Sequence, residues 1–131
     1  MKEITVNTSR RNEFVVLDQE VQQAVSDSGI MEGCAMLFCP HTTAALTINE
    51  NADPSVVQDI LTTVEKFVPE RAGYSHSEGN SDAHIKASLF GANLNVPVVN
   101  GKISLGTWQG IFFCEFDGPR RRKVYIQILS A

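Results

Sequence analysis

The nine residues from 76 to 84, HSEGNSDAH, hold His76, Glu78, Asn80, Asp82 and His84, including two of the chain's three histidines. Imidazole binds transition metals and moves protons near neutral pH, and carboxylates and amides orient it. The separation of His76 from His84 matches no common zinc spacing, so alone the stretch reads as a solvated loop. His84 has a more specific prospect. With Ser81 as a helix cap it takes the third helical position, where the positive end of the helix dipole disfavours imidazolium. A neutral ring suits a metal ligand or a general base. The free N–H groups of that first turn can also hold a phosphate. The competing reading is an ordinary surface residue.

His41 follows Cys39-Pro40 at the end of the apolar run CAMLFC, where proline stops the strand ladder and turns the chain. Thr42 and Thr43 come next, and Asn49, Glu50, Asn51 and Asp53 crowd together before a helix start. Asp53 reads as the cap of that helix, and the threonines as strand residues unless a site recruits them. In GTWQG, residues 106–110, the single tryptophan, Trp108, stands between two glycines. It is either a core residue beside a bulge or the aromatic wall of a pocket, with Gln109 offering an amide to a heterocycle or phosphate. Glu115 lies in the apolar stretch FFCEF, and strand alternation puts Phe113, Glu115 and Asp117 on one face. A carboxylate there is edge-exposed, or buried and paired, and in the second case a candidate general base. The run from Arg120 to Lys123 is either a solvated strand start or the source of one arginine that grips a phosphate through two hydrogen bonds.

The elements that must position these groups are legible. Lys2 to Thr8 alternates like a strand, and Phe14 to Leu17 is a second one. Asp18 is placed to cap a helix from Gln19 to about Ser26. Cys34 to Cys39 and Ala44 to Ile48 follow as strands. Asp53 and Pro54 open the clearest helix, with Val57, Ile60, Leu61, Val64 and Phe67 or Val68 at helical spacing before Pro69. A short helix runs from near Ser81 to Gly91. The remainder is strand: 94–99, 102–105, 109–116 and 122–129, with Asn100-Gly101 as a hairpin turn. This order predicts a single α+β domain over residues 1–131, with a largely antiparallel sheet and helices packed on one face.

The 131 residues are 43% hydrophobic, enough for a core. A net charge of -4 argues against a nucleic-acid partner. No stretch approaches the ~20 apolar residues of a membrane span, and MKEITVNTSRRNEF lacks the apolar run of a secretory signal. Three cysteines without CxxC spacing argue against a disulfide framework. The expected location is the reducing cytoplasm.

Three stretches, HTTAALTINENADPSVV (41–57), HSEGNSDAHIKASLFG (76–91) and GKISLGTWQGIFFCEFDGPRRRKV (101–124), together resemble the YjbQ family, also described as secondary thiamine-phosphate synthases. The resemblance covers roughly two-thirds of the chain. It implies a homotrimer in the cytoplasm with a polar pocket around a divalent metal, and His41, His76 and His84 as that pocket's histidines. It matches Asn49, Asn51, Asp53, Trp108, Gln109 and Glu115 to further motif positions, and carries no role onto Cys39, Asn80 or Asp82. The implied activity joins an aminopyrimidine diphosphate to a thiazole phosphate and releases diphosphate, so the partner is a small phosphorylated metabolite. On that reading His84 and Glu115 are catalytic, and Asn49, Asn51, Trp108 and Gln109 bind substrate. Histidine ligands suit Zn²⁺, Mn²⁺ or Ni²⁺, whereas a diphosphate substrate brings Mg²⁺. Two alternatives use the same residues: a metal-dependent hydrolase of phosphate or other esters, and a non-catalytic trimer that binds a metal or metabolite.

Overall fold

Alternation along one strand explains most of the architecture. In β7 (Gln109–Glu115), Ile111 and Phe113 point into one apolar cluster, while Phe112 and Cys114, with Phe116 just beyond, point into another. A strand apolar on both faces must be covered on both. The computed structural model, which describes residues 1–131, shows how. The strands β1 (Lys2–Asn7), β2 (Glu13–Val16), β3 (Glu32–Phe38), β4 (Ala44–Glu50), β5 (Asn93–Val99), β6 (Lys102–Ile103), β7 and β8 (Arg121–Ser130) alternate with helices α1 (Asp18–Ser28), α2 (Pro54–Phe67) and α3 (Ser81–Phe90). The expected antiparallel α+β domain forms, and its strands divide into two sheets. One has the order β1-β8-β3-β5-β6 and the other β2-β7-β4, with every pairing antiparallel.

The larger core lies between the sheets. Leu37, Val96, Val124 and Ile126 from the five-stranded sheet meet Leu46, Ile111 and Phe113 from the three-stranded one, and α1 adds Val21, Ala24 and Val25. Each of the valine, leucine, isoleucine and phenylalanine side chains among these contributes about 1.5–3 kcal/mol on burial. The smaller core covers the other face of β7 and β4 with Ala83, Ala87 and Phe90 of α3 and Val57 of α2.

Two boundaries follow from local chemistry. Asp53 Oδ1 accepts hydrogen bonds from the Ser55 N–H at 2.9 Å and the Ser55 hydroxyl at 2.7 Å, so α2 starts at Pro54 as the cap predicts. Asn100 and Gly101 adopt φ of 52° and 73°, the left-handed pair of a two-residue hairpin. Asp18 does not cap α1. Its carboxylate reaches across to the Ile111 N–H at 2.7 Å, and the helix begins one residue earlier behind Leu17. That long-range bond satisfies a β7 donor that no strand neighbour could, which local spacing does not reveal.

Gly33 marks a close approach. A Cβ there would collide with the Leu129 carbonyl in the pairing of β3 with β8. Gly33→Ala is expected to cost about 1–3 kcal/mol, seen as a lower midpoint in thermal unfolding.

Candidate functional site

Three segments converge at one end of the three-stranded sheet. Pro40 turns the chain out of β3, so His41 emerges beside Thr42 and Thr43 before β4 begins at Ala44. Across from it, α3 packs on β4 and points its N-terminus at the same place. The loop before α3 carries His76. The third segment is the turn between β7 and β8, with Asp117 and Arg120. Together they line a cleft of about 420 Å³ whose walls include His41, His76, His84, Thr43, Glu78, Asn80, Asp117, Arg120 and Arg122, with Pro40 the only non-polar residue.

The three sequence-predicted histidines therefore share one cleft. His76 and His84 meet edge to face, with ring centroids 5.4 Å apart. His41 is held differently. Its Nε2 accepts the Lys123 backbone N–H at 2.9 Å, which puts the proton of the neutral ring on Nδ1. Burial first, and the neighbouring Arg122 guanidinium second, push the His41 pKa below the ordinary histidine value. Both effects disfavour the charged form of the ring, and the Lys123 bond leaves Nδ1 as the nitrogen that carries the N–H. His84 sits at the fourth helical position, because α3 is preceded by Asn80 and not by Ser81.

The floor of the cleft is an ion pair. Arg122 Nε and Nη2 reach Glu115 Oε1 and Oε2 at 2.8 and 2.5 Å, and Nη2 also reaches Thr43 Oγ1 at 2.9 Å. Glu115 further accepts the Thr8 hydroxyl at 2.7 Å and the N–H groups of Phe116 and Asp117, both at 3.1 Å. Burial raises the Glu115 pKa, but the hydrogen bonds from Arg122 and Thr8 outweigh it and leave the carboxyl below its ordinary value. This corrects the reading of Glu115 as a general base. It is fully buried, and its oxygens accept five donors. It positions Arg122, and Arg122 faces the cleft.

The mouth of α3 is pinned by a second buried network. Asp82 accepts two bonds from Arg11 at 2.9 and 3.0 Å and one from Lys86 Nζ at 3.0 Å, and Lys86 also pairs with Glu65 of α2 at 2.5 Å. Asp82 and Lys86 are buried, so this network fixes where His84 stands and leaves the cleft itself alone. Asn80 Nδ2 ties the same helix start to Asp117 Oδ2 at 2.9 Å.

The other predicted substrate residues lie elsewhere in the chain. Asn49 pairs with Gly110 and Glu50 with Gln109, at the opposite end of the β4–β7 ladder from Ala44 and Glu115. Six strand steps separate the two ends by roughly 20 Å. Asn51, whose N–H donates to the Trp108 carbonyl at 2.8 Å, belongs to that far end. Gln109 turns its side chain back onto the Gly106 N–H at 2.7 Å, and Asn49 Oδ1 accepts the Glu50 N–H at 2.7 Å, so both amides serve their own turns. Trp108 is neither core nor pocket wall within one chain: it stands 63% exposed on this tight turn. The sequence places Asn80 in the candidate stretch and Thr43 beside His41 without assigning either a role, and both line the cleft. The signal for Arg122 and Asp117 was present in their strand parity with Arg120 and Glu115.

No three His, Cys, Asp or Glu side chains converge on a point that could hold a metal. The donor set is half-built. Two imidazoles on one ion place their ring centres roughly 5 Å apart, which the His76–His84 pair satisfies, and Glu78 Oε1 lies 3.9 Å from His76 Nε2. His41 could join only through Nδ1. None of the three free cysteines lines the cleft, and burial raises the Cys39 and Cys114 thiol pKa values.

The fold and the site define a two-sheet antiparallel α+β domain with a histidine-lined cleft at the sheet end, and comparison gives it a family. The chain belongs to the YjbQ family: the model described as "UPF0047 protein YjbQ-like" matches residues 2–131. It is 49% identical to a UPF0047 protein of Methanocaldococcus jannaschii, covering 95% of this chain and 91% of that one. It is 47% identical to the UPF0047 protein YugU of Bacillus subtilis over 99% of both chains. A crystal structure of an uncharacterized conserved YjbQ/UPF0047 protein from Clostridium acetobutylicum superimposes with a TM-score of 0.97 at 52% identity, covering 98% of this chain and 100% of that one. A YbjQ-like protein of unknown function from Sulfolobus solfataricus gives a TM-score of 0.94 at 38% identity, covering 99% and 96%.

Proposed function

We propose that the chain is a small metal-dependent enzyme acting on phosphorylated metabolites, in the manner of the secondary thiamine-phosphate synthases it resembles. The observation that carries this reading is the convergence of His41, His76 and His84 with Arg120 and Arg122 in one polar cleft. Arg120 and Arg122 and the first N–H groups of α3 bind and orient phosphate oxygens. His41 donates from Nδ1. As the thiazole nitrogen forms the C–N bond and the C–O bond to diphosphate breaks, His84, where the ion arrives on the substrate and leaves its imidazole free, gives a proton to the departing oxygen as general acid. A divalent ion, held by His76 and His84 or arriving as Mg²⁺ on the substrate, would screen the charge of a departing diphosphate. Incubation of the protein with an aminopyrimidine diphosphate and a thiazole phosphate should yield the joined monophosphate plus diphosphate, and chelator should abolish that product. Free phosphate with no joined product would instead identify a hydrolase.

The assembly we propose is a homotrimer. α2 is amphipathic yet has no buried residue, with Phe67 78% exposed at its end, and Trp108 stands out beside its start. Such surfaces in a folded chain mark an interface. A three-fold ring joins unlike patches head to tail, and a neighbouring subunit is what would carry Asn49, Asn51, Trp108 and Gln109 toward a cleft. Phe67→Glu should dissociate the trimer in sedimentation while leaving the thermal midpoint of the chain within a few degrees. A wild-type protein that sediments as a monomer at all concentrations would contradict the assembly.

No helix of the chain is long and apolar enough to cross a membrane. We propose a cytoplasmic location.

A further inference from the structure

The polar cleft does not end at its histidines. His41, Thr42 and His84 also line a second opening of about 540 Å³, a groove between α3 and the start of β4. The two openings meet along the line from His41 to His84, and their chemistry differs. On the cleft side stands a group built to receive an anion. The Arg122 side chain is 6% exposed. Its Nε and Nη2 are taken by Glu115 and Thr43, whereas Nη1 meets no acceptor in the protein and keeps contact with solvent. Arg122 lines the cleft, so the Nη1 donors are left for a ligand there.

On the groove side the walls are bare. Ala44, Ala87 and Gly91 carry no more than a methyl group, and a Cβ at Gly91 would meet nothing within 4 Å. The backbone is already engaged: the Ala87, Gly91 and Ala92 carbonyls accept the N–H groups of Gly91, Leu46 and Cys39 at 2.9, 3.0 and 2.7 Å. These walls act by shape. A bare phosphate gains nothing by entering them, whereas a carbon-rich group gains by leaving water. A rigid ring does so with few rotors to immobilise. We propose that cleft and groove are one bipartite site for a phosphate ester whose organic part is a compact carbon-rich ring. The phosphate lies on Arg122, the ring lies between α3 and β4, and the atoms that join them pass between His41 and His84. The inference rests on the phosphate reading of the cleft given above and adds where the rest of the substrate lies.

Phenylphosphonate and methylphosphonate separate the two halves, because both are dianions at pH 9 and neither P–C bond is hydrolysed. Titration calorimetry of the full chain with each sodium salt, at matched ionic strength and with Mg²⁺ present, should give phenylphosphonate a Kd at least about tenfold tighter, the effect of taking roughly 60 Å² of ring out of water. Ala92 lines the groove and is exposed. Ala92→Leu should reduce the preference to below about threefold and leave the methylphosphonate Kd within about twofold of wild type. Ala87→Val narrows the groove from the α3 wall with the same expected result, and circular-dichroism melts show which variants are folded. Equal binding of the two anions by the wild type overturns the ring groove and leaves the phosphate cleft standing. An undiminished preference in the folded variants overturns the placement of the ring. Binding of neither anion removes the phosphate reading and this inference with it.

Discussion

Glu115→Gln should be among the most destabilising single changes in this chain, costing about 3–5 kcal/mol. The substitution keeps the shape and removes the charge, so Arg122 is left buried, charged and facing a neutral amide. One amide oxygen cannot replace two carboxylate oxygens that accept from Arg122, Thr8, Phe116 and Asp117. The pH dependence follows from the same contacts. The native carboxyl is held below its ordinary value, so its contribution is fully present above about pH 4.5, the unfolded range for glutamate. That contribution is lost as pH falls through the lower native value. Denaturant unfolding of both proteins from pH 7 to pH 3 should therefore show a wide gap at neutral pH that narrows in acid. A gap that stays constant to pH 3 would mean that the ion pair is not the source of the loss.

His84→Ala should have the opposite profile. Turnover, or anion binding where no turnover is found, should fall by about 100-fold or more, the scale of a lost acid–base group in a site. The fold should hold, because His84 is half-buried and makes no side-chain hydrogen bond to the protein, whereas Asp82 and Lys86 on the same helix carry the packing. The control is Ser88→Ala, one turn further along α3, whose hydroxyl only bonds the His84 carbonyl at 2.9 Å and whose loss should leave activity near wild type. Equal activity in the His84 variant would remove His84 from the chemistry.

The contrast between these two residues shows what the sequence makes legible. Local signals were sufficient for α2, because Asp53 and Pro54 act within a turn of the helix they start, and for the Asn100-Gly101 hairpin. Strand parity in FFCEF foretold which side chains of β7 face which core. The histidine cluster was legible as a set of residue types around strand ends and a helix start. What local reading misses is pairing over long sequence distance. Glu115 meets Thr8 and Arg122 meets Thr43 only because the packing of the two sheets brings the ends of β1, β4, β7 and β8 together, and those contacts turn a presumed base into a buried anchor. The far position of Trp108 is the second example. Residues 109 and 115 are close in sequence, but an extended strand carries them to opposite ends of a sheet. Asn80 was given no role for a third reason: its tie to Asp117 joins segments 37 residues apart, which no local signal records.

The proposed phosphate-binding cleft gathers the three histidines from two of its three segments. With three histidines in the chain, proton NMR of their ring C–H groups resolves the question residue by residue. Addition of inorganic diphosphate, first with Mg²⁺ and then with chelator, should shift the His41, His76 and His84 signals together along one saturation curve, and His84→Ala should weaken that curve for the other two. Three unmoved histidine signals, with the perturbation falling instead beside Arg10 and Lys66 at the separate cleft along α2, would contradict the account.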